Sequence, residues 1–411
     1  MTSKDVRSIV NIVRTYSIPL LVGVVASLIW KNLSPDSYEA FVFTPIFGEH
    51  IDLHFLINDV FMVFFFAMAG VEIVHSLIPG GALYPVKKAV MPLMATMGGV
   101  LGPIAVFSAL NTAFGSPEFA SGWGVCTATD IALSWLLARI ILGERHPAVN
   151  FLLLLAVVDD GIGMAIIAIF YPDPDLPTEY AWLLLILAGM GVARLLNKIG
   201  VRNWTAYVFG AGILSWIGLY NAHLHPALAL IFIVPFIPHN NKGNDAERGS
   251  LDDGQEREQS GAPDDDRSPL AQCENRLSRF VDFGLIFFGI VNAGVEFSDI
   301  SNLTWIVCIS LIVGKTGGVM LFSRVATLLS FSPPVGVRFK EIAIIGVIAG
   351  AGLTVALFVA DVAFTEPLPE SAAKMGALFS SAVFVIAPVL GKIFRIKRVT
   401  TTEDLESLHR E

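Results

Sequence analysis

The sequence predicts an all-α polytopic membrane protein of about twelve transmembrane helices, and three observations carry that prediction. Of the 411 residues, 54% are hydrophobic and only 15% are charged. A soluble domain holds about 45–50% apolar and about 25% charged residues. The excess is organised into long apolar runs such as Ile18–Trp30, Val60–Val71 and Phe151–Val158, within stretches near the roughly 20 residues that one bilayer crossing needs. A few ionisable residues interrupt those runs, where a simple anchor would carry none. These features exclude a soluble enzyme, a nucleic-acid binder and a secreted disulfide scaffold. Cys126, Cys273 and Cys308 form no Cys-x-x-Cys spacing and imply no disulfide framework.

In chain order the predicted spans are 17–33, 55–79, 89–113, 120–139, 148–171, 181–198, 204–220, 222–238, 278–297, 303–329, 339–364 and 372–394. Lys4, Arg7 and Arg14 precede the first, which lacks a small-residue cleavage site and reads as an anchor rather than a removed signal peptide. After it, Phe41–Phe47 and His50–Phe55 flank Gly48-Glu49 and read as a short hairpin. Between the eighth and ninth spans, Asn241–Arg267 holds nine acids against four bases and almost nothing apolar. This is the composition of a disordered loop, placed at 241–276 inside a transmembrane domain of residues 1–398, with a tail over 399–411. With the N-terminus inside, 24 Lys and Arg residues fall on the cytoplasmic side and 2, Lys31 and Lys374, outside. Such a split predicts both termini in the cytoplasm and an even number of spans.

The charges inside the spans are the functional candidates. Asp59 and Glu72 lie near the two ends of the second span. Asp159 and Asp160 follow the eight apolar residues of Phe151–Val158 and precede Gly161-Ile162-Gly163-Met164, so they sit mid-membrane, roughly 17 Å from either end. Adjacent helical residues point about 100° apart, so the two carboxylates serve different partners. Asp130 ends Gly122-Trp123-Gly124-Val125-Cys126-Thr127-Ala128-Thr129, a poor helix interior that reads as a broken helix lining a cavity. Gly346-Val347-Ile348-Ala349-Gly350-Ala351-Gly352-Leu353-Thr354 has the same character seven spans later. Two interrupted helices in corresponding places of two halves point to a transporter binding site. Lys315 stands in the middle of its span and needs a carboxylate or helix carbonyl ends, its candidate partners being Asp130, Asp159 and Asp160. Asp361, seven residues beyond Thr354, falls within about 20° of the same helix face. It reads either as a wetted acid near the membrane surface or as a carboxylate lining an outer funnel that concentrates cations.

At these residues the sequence resembles the NhaA-type sodium/proton antiporter family. Ala128-Thr129-Asp130-Ile131-Ala132, Val157-Val158-Asp159-Asp160-Gly161, Asn292-Ala293-Gly294-Val295, Gly314-Lys315 and Gly350-Ala351-Gly352-Leu353-Thr354 occur in the family's order and spacing. The resemblance implies twelve helices in a prokaryotic cell (inner) membrane, with helices 3–5 and 10–12 as inverted repeats and helices 4 and 11 crossing at their breaks. It further implies Asp160 as principal sodium ligand, Asp130 and Thr129 beside it, and Asp159 paired with a charge-balancing Lys315. Thr354, Asp361, Asp59 and Glu72 are the candidates for cavity or gate. The cargo would be sodium or lithium and protons, exchanged electrogenically without a cofactor, by a homodimer joined through outer hairpins. The chain departs from the family at Ile73-Val74-His75-Ser76, where a charged cluster is expected, and at Asp361, where a small residue is expected.

A carboxylate in such a site can hold either a hard cation or a proton, and that competition is sufficient for exchange. The alternative is a sodium-coupled solute symporter of related fold, which would not need the buried Asp159–Asp160 with Lys315. An intramembrane aspartyl protease would need Tyr-Asp and Gly-x-Gly-Asp contexts, and Asp160 follows Val157-Val158-Asp159 instead.

Overall fold

Apolar runs with no water to bond must satisfy their backbone internally, which leaves helices as the economical solution. A computed structural model, describing residues 18–48, 51–78, 81, 83–84, 86–172, 176–239, 268–401 and 404, bears this out. Among the described residues helices carry the regular structure, with one isolated bridge between Phe47 and Ile51. The helical elements, in chain order, are α1 (Ile18–Leu33), α2 (Leu53–Leu77), α3 (Val86–Phe114), α4 (Pro117–Thr127 with Ile131–Leu142) and α5 (Pro147–Phe170). They continue with α6 (Tyr180–Ile199), α7 (Ala206–Ala211 with Gly212–Asn221), α8 (Pro226–Phe236) and α9 (Pro269–Asn292). The last three are α10 (Asn302–Leu328), α11 (Phe339–Ala349 with Thr354–Ala363) and α12 (Pro367–Ile393). Six of these are long and apolar enough to cross a membrane, or eight when each bent pair is one span. Each of the other predicted spans has a helical counterpart that is shorter or less apolar, so the chain is a multi-pass membrane protein.

Two expectations change. The hairpin shrinks to the Phe47–Ile51 bridge, because Phe41–Phe43 end the helix Pro35–Phe43 and Leu53 already begins α2. The ninth helix starts at Pro269, nine residues before its predicted span, and stops at Asn292. The acidic stretch 241–267 lies outside the described residues, as do Lys4, Arg7, Arg14 and residues 405–411.

The described chain divides into two units. The first holds residues up to Asn58, His75–Pro174 and Asp282 onward. Its core joins Met91 and Ala95 of α3, Leu137 of α4, Phe151 and Leu155 of α5, Val319 of α10, Ile345 and Ile348 of α11 and Val383 of α12. Small residues let α3 and α10 touch backbone to backbone, the membrane alternative to large side-chain packing. A Cβ on Gly98 would sit 2.1 Å from the Gly318 carbonyl oxygen, and one on Gly102 2.3 Å from that of Gly314. This contact presses Lys315 into the interior. A π-helical turn, Ser310–Gly314, immediately precedes that lysine, and such turns gather at functional sites.

The second unit holds Asp59–Val74 and Asp175–Val281. Phe280 of α9 meets Phe61 and Phe64 of α2, and the indole of Trp216 donates to the Asp59 carbonyl. On α6, Leu184, Leu187, Leu195 and Ile199 are all exposed, a face fit for lipid rather than water.

Candidate ion-binding site

The two broken helices meet in the first unit. The halves of α4 bend by 56° and those of α11 by 51°. Each break frees backbone groups that must find partners in a dry interior, and each break supplies partners for the other. The Asp130 amide donates to the Ala351 carbonyl at 2.8 Å, and the Thr129 hydroxyl to the Ala349 carbonyl at 2.9 Å. Glycine is required at Gly352, since a Cβ there would lie 2.9 Å from the Ala128 carbonyl oxygen. Two hydroxyls brace the breaks from outside. Tyr171 donates to the Ser121 carbonyl at 2.6 Å and accepts from the Gly124 amide at 2.9 Å. Ser380 of α12 accepts from the Gly352 amide at 3.3 Å.

Asp130 caps the second half of α4, where its carboxylate accepts from the Leu133 amide at 3.1 Å. The same carboxylate accepts from the hydroxyl and amide of Thr354, the first residue of the second half of α11. One buried acid thus serves the starts of both half-helices, whose N-terminal dipoles favour negative charge. Asp159 of α5 takes Lys315 at 2.8 Å, with both side chains fully buried. Lys315 also donates to the Thr127 carbonyl at 2.6 Å, at the end of the first half of α4. The ammonium therefore neutralises a carboxylate and the negative end of a half-helix together. The other oxygen of Asp159 has no hydrogen-bond partner among the described residues. Asp160, the next residue on α5, is 9% exposed, the most accessible of the three aspartates. Among the described residues no three His, Cys, Asp or Glu side chains converge as a metal centre does.

Thr129, Asp130, Asp159, Lys315 and Thr354 are thus linked through the crossing, with Asp160 beside them. The gating candidates are distributed differently. Asp59 and Glu72 belong to the second unit, where Asp59 lies 4.0 Å from His225. Asp361 is not the open funnel carboxylate that its helix face suggests. Its side chain is 10% exposed and is bound by Lys374 at 2.9 Å, His54 at 3.0 Å and Asn58 at 2.8 Å. Counting along one helix cannot reveal a lysine that returns on the next helix after the turn at Pro367. The sequence reading also missed Tyr171 and Ser380. Their only signal was a side-chain hydroxyl, which many other Ser, Thr and Tyr residues of the chain share.

The Na+/H+ antiporter 1 family model matches residues 7–393. The chain belongs to that family. Relatives agree over nearly the whole length. It is 55% identical over 394 residues to the Na(+)/H(+) antiporter NhaA of Desulfitobacterium hafniense, covering 96% of this chain and 98% of that one. It is 50% identical over 390 residues to the Na(+)/H(+) antiporter NhaA 1 of Pelobacter propionicus, covering 95% and 99%. With the Na(+)/H(+) antiporter NhaA of Geobacter metallireducens it shares 50% over 393 residues, covering 96% and 100%. A solved structure of a sodium proton antiporter from Methanocaldococcus jannaschii aligns over 96% of this chain at a TM-score of 0.47 and 12% identity. The Na+/H+ antiporter 1 family is one of transporters rather than enzymes.

Proposed function

We propose that this chain is an electrogenic secondary antiporter that exchanges sodium, or lithium, for protons across a bacterial inner membrane. The observation that carries the reading is the crossing of two broken helices around buried acids, with Asp130 bound to Thr354 and Asp159 paired with Lys315. Asp160 is the principal site, holding either the cation or a proton, with Asp130 and Thr129 beside it. A carboxylate cannot bind both well at once, so each ion displaces the other. Lys315 pairs with Asp159 and fixes its orientation. A form loaded with cation or proton crosses readily, whereas the empty, more highly charged form does so poorly, because uncompensated charge in a dry interior is costly. Alternating access comes from rocking of the inverted repeats, helices 3–5 and 10–12, against the remainder.

The same reading gives twelve crossings within a domain of residues 1–398, both termini in the cytoplasm, a cytoplasmic loop at 241–276 and a tail at 399–411. The Lys and Arg distribution supports it, with 24 inside and 2 outside. It also gives a homodimer, joined through the outer segment around the Phe47–Ile51 bridge. The decisive experiment is sodium-driven proton flux in proteoliposomes, reported by a pH-sensitive dye. Asp160→Asn removes the group that alternates between ions, so exchange should vanish while the protein still inserts. Substantial flux in that variant refutes the assignment.

A further inference from the structure

The unexpected acid, Asp361, sits in a buried ion cluster away from the crossing. Four helices contribute to it, each through residues of the first unit. Asp361 is in the last turn of the second half of α11, and Lys374 and Glu370 are on α12. His54 and Asn58 open α2, and Asn292 ends α9. Lys374 bonds Asp361 at 2.9 Å and Glu370 at 2.5 Å. Asn58 gives its amide hydrogens to Asp361 at 2.8 Å and to Asn292 at 3.2 Å, and Asn292 returns a bond to Asn58 at 2.8 Å. With the hydrogens of Asn58 so engaged, His54 Nε2 donates to Asp361 at 3.0 Å.

We propose that this cluster is the outer latch of the exchange cycle: Asp361 clasps α11 and α12 to the ends of α2 and α9, and it must open for the site to face outward. This rests on the antiport reading above, and specifically on α11 and α12 moving as part of one repeat while α2 and α9 do not. The half-helix Thr354–Ala363 is short and continuous, so its two ends move together. At one end Thr354 binds Asp130, and at the other Asp361 binds Lys374, His54 and Asn58. A latch that favours one of two states acts by shifting their populations, and the affinity measured at each face scales with the population open to that face.

The test is apparent sodium affinity measured separately at the two faces, in proteoliposomes of known sidedness. Asp361→Asn keeps the shape and removes the charge that holds Lys374 and His54. If the latch leaves about one molecule in twenty open outward and the variant brings this to half, the outer-face KM falls about tenfold and the inner-face KM rises about twofold. His54→Gln removes a single link and should give the same pair of opposite changes at smaller size, which covers a poorly inserting Asp361 variant. A merely structural role would move both KM values the same way, or lower the rate alone, and either result overturns the latch. An absence of sodium-driven proton flux in the unmodified protein would instead overturn the antiport reading, and the latch with it.

Discussion

Lys315 and Lys374 are both buried ammonium groups paired with an aspartate on another helix, yet their surroundings differ. Lys315 and Asp159 are both fully buried, the lysine has two partners, and one Asp159 oxygen is left without a hydrogen bond among the described residues. Lys374 and Asp361 lie nearer the protein edge, at 7% and 10% side-chain exposure, and share their charge with Glu370, His54 and Asn58. The first pair is held by one strong contact in the driest setting. The second belongs to a network in which each charge has a substitute partner.

The difference predicts unequal responses to the same substitution. Lys315→Met strands the Asp159 carboxylate in the interior, where breaking a buried pair costs about 3–5 kcal/mol. It should give the largest fall in melting midpoint in detergent, and the double variant Asp159→Asn with Lys315→Gln should recover part of that loss. Equal melting of the single and double variants would remove the case for a dominant ion pair. Lys374→Met leaves Asp361 with His54 and Asn58, so a smaller loss, about 1.5–3 kcal/mol by the scale for charged hydrogen bonds, is expected in the same assay. A loss matching that of Lys315→Met would mean that the network offers no substitute partners.

His146 shows burial with almost no compensation. It precedes α5, the helix of Asp159 and Asp160, and its Nδ1 accepts from the Ala148 amide at 3.1 Å, so Nε2 carries the hydrogen. Burial, and then the charge of Lys340, push its pKa down to about 4 from an ordinary 6.5. The unfolded chain therefore binds this proton first as pH falls. The stabilisation is fully present above about pH 6.5 and is lost as pH drops toward 4. An imidazolium cannot accept the Ala148 hydrogen, so the cap fails with the charge. His146→Asn retains a capping acceptor without titrating, and should flatten the fall in melting midpoint between those two pH values. An unchanged pH profile would show that other groups cause the fall. The smallest effect belongs to Lys31, whose partners Glu39 and Glu296 are 57% and 38% exposed. Lys31→Met should cost under about 1 kcal/mol, and less at high salt.

Much of the site was legible because it breaks strong rules. An aspartate pair inside an apolar run, a lysine at mid-span and two runs of small residues inside spans each conflict with an ordinary helix in lipid, and conflicts of that kind mark function. Asp130, Asp159, Asp160 and Lys315 were found in this way, although pairing Lys315 with Asp159 rather than Asp160 needed the family resemblance or the structure. Asp361 broke the same rule and was misread, because its rule-breaking is settled by Lys374 on the following helix and by His54 some three hundred positions earlier.

The sequence by itself determined a polytopic, all-helical membrane chain, the two breaks and the acids beside them. These depend on periodicity, length and the cost of polar groups in hydrocarbon, all of which are local. Only the tertiary structure decided that Thr354 binds Asp130, that Tyr171 and Ser380 brace the freed backbone, and that Asp361 is neutralised. Those outcomes depend on which distant residues meet. Membrane helices select their neighbours by close packing of small residues, as at Gly98 and Gly318, and a single helix's pattern carries no record of which partner fits.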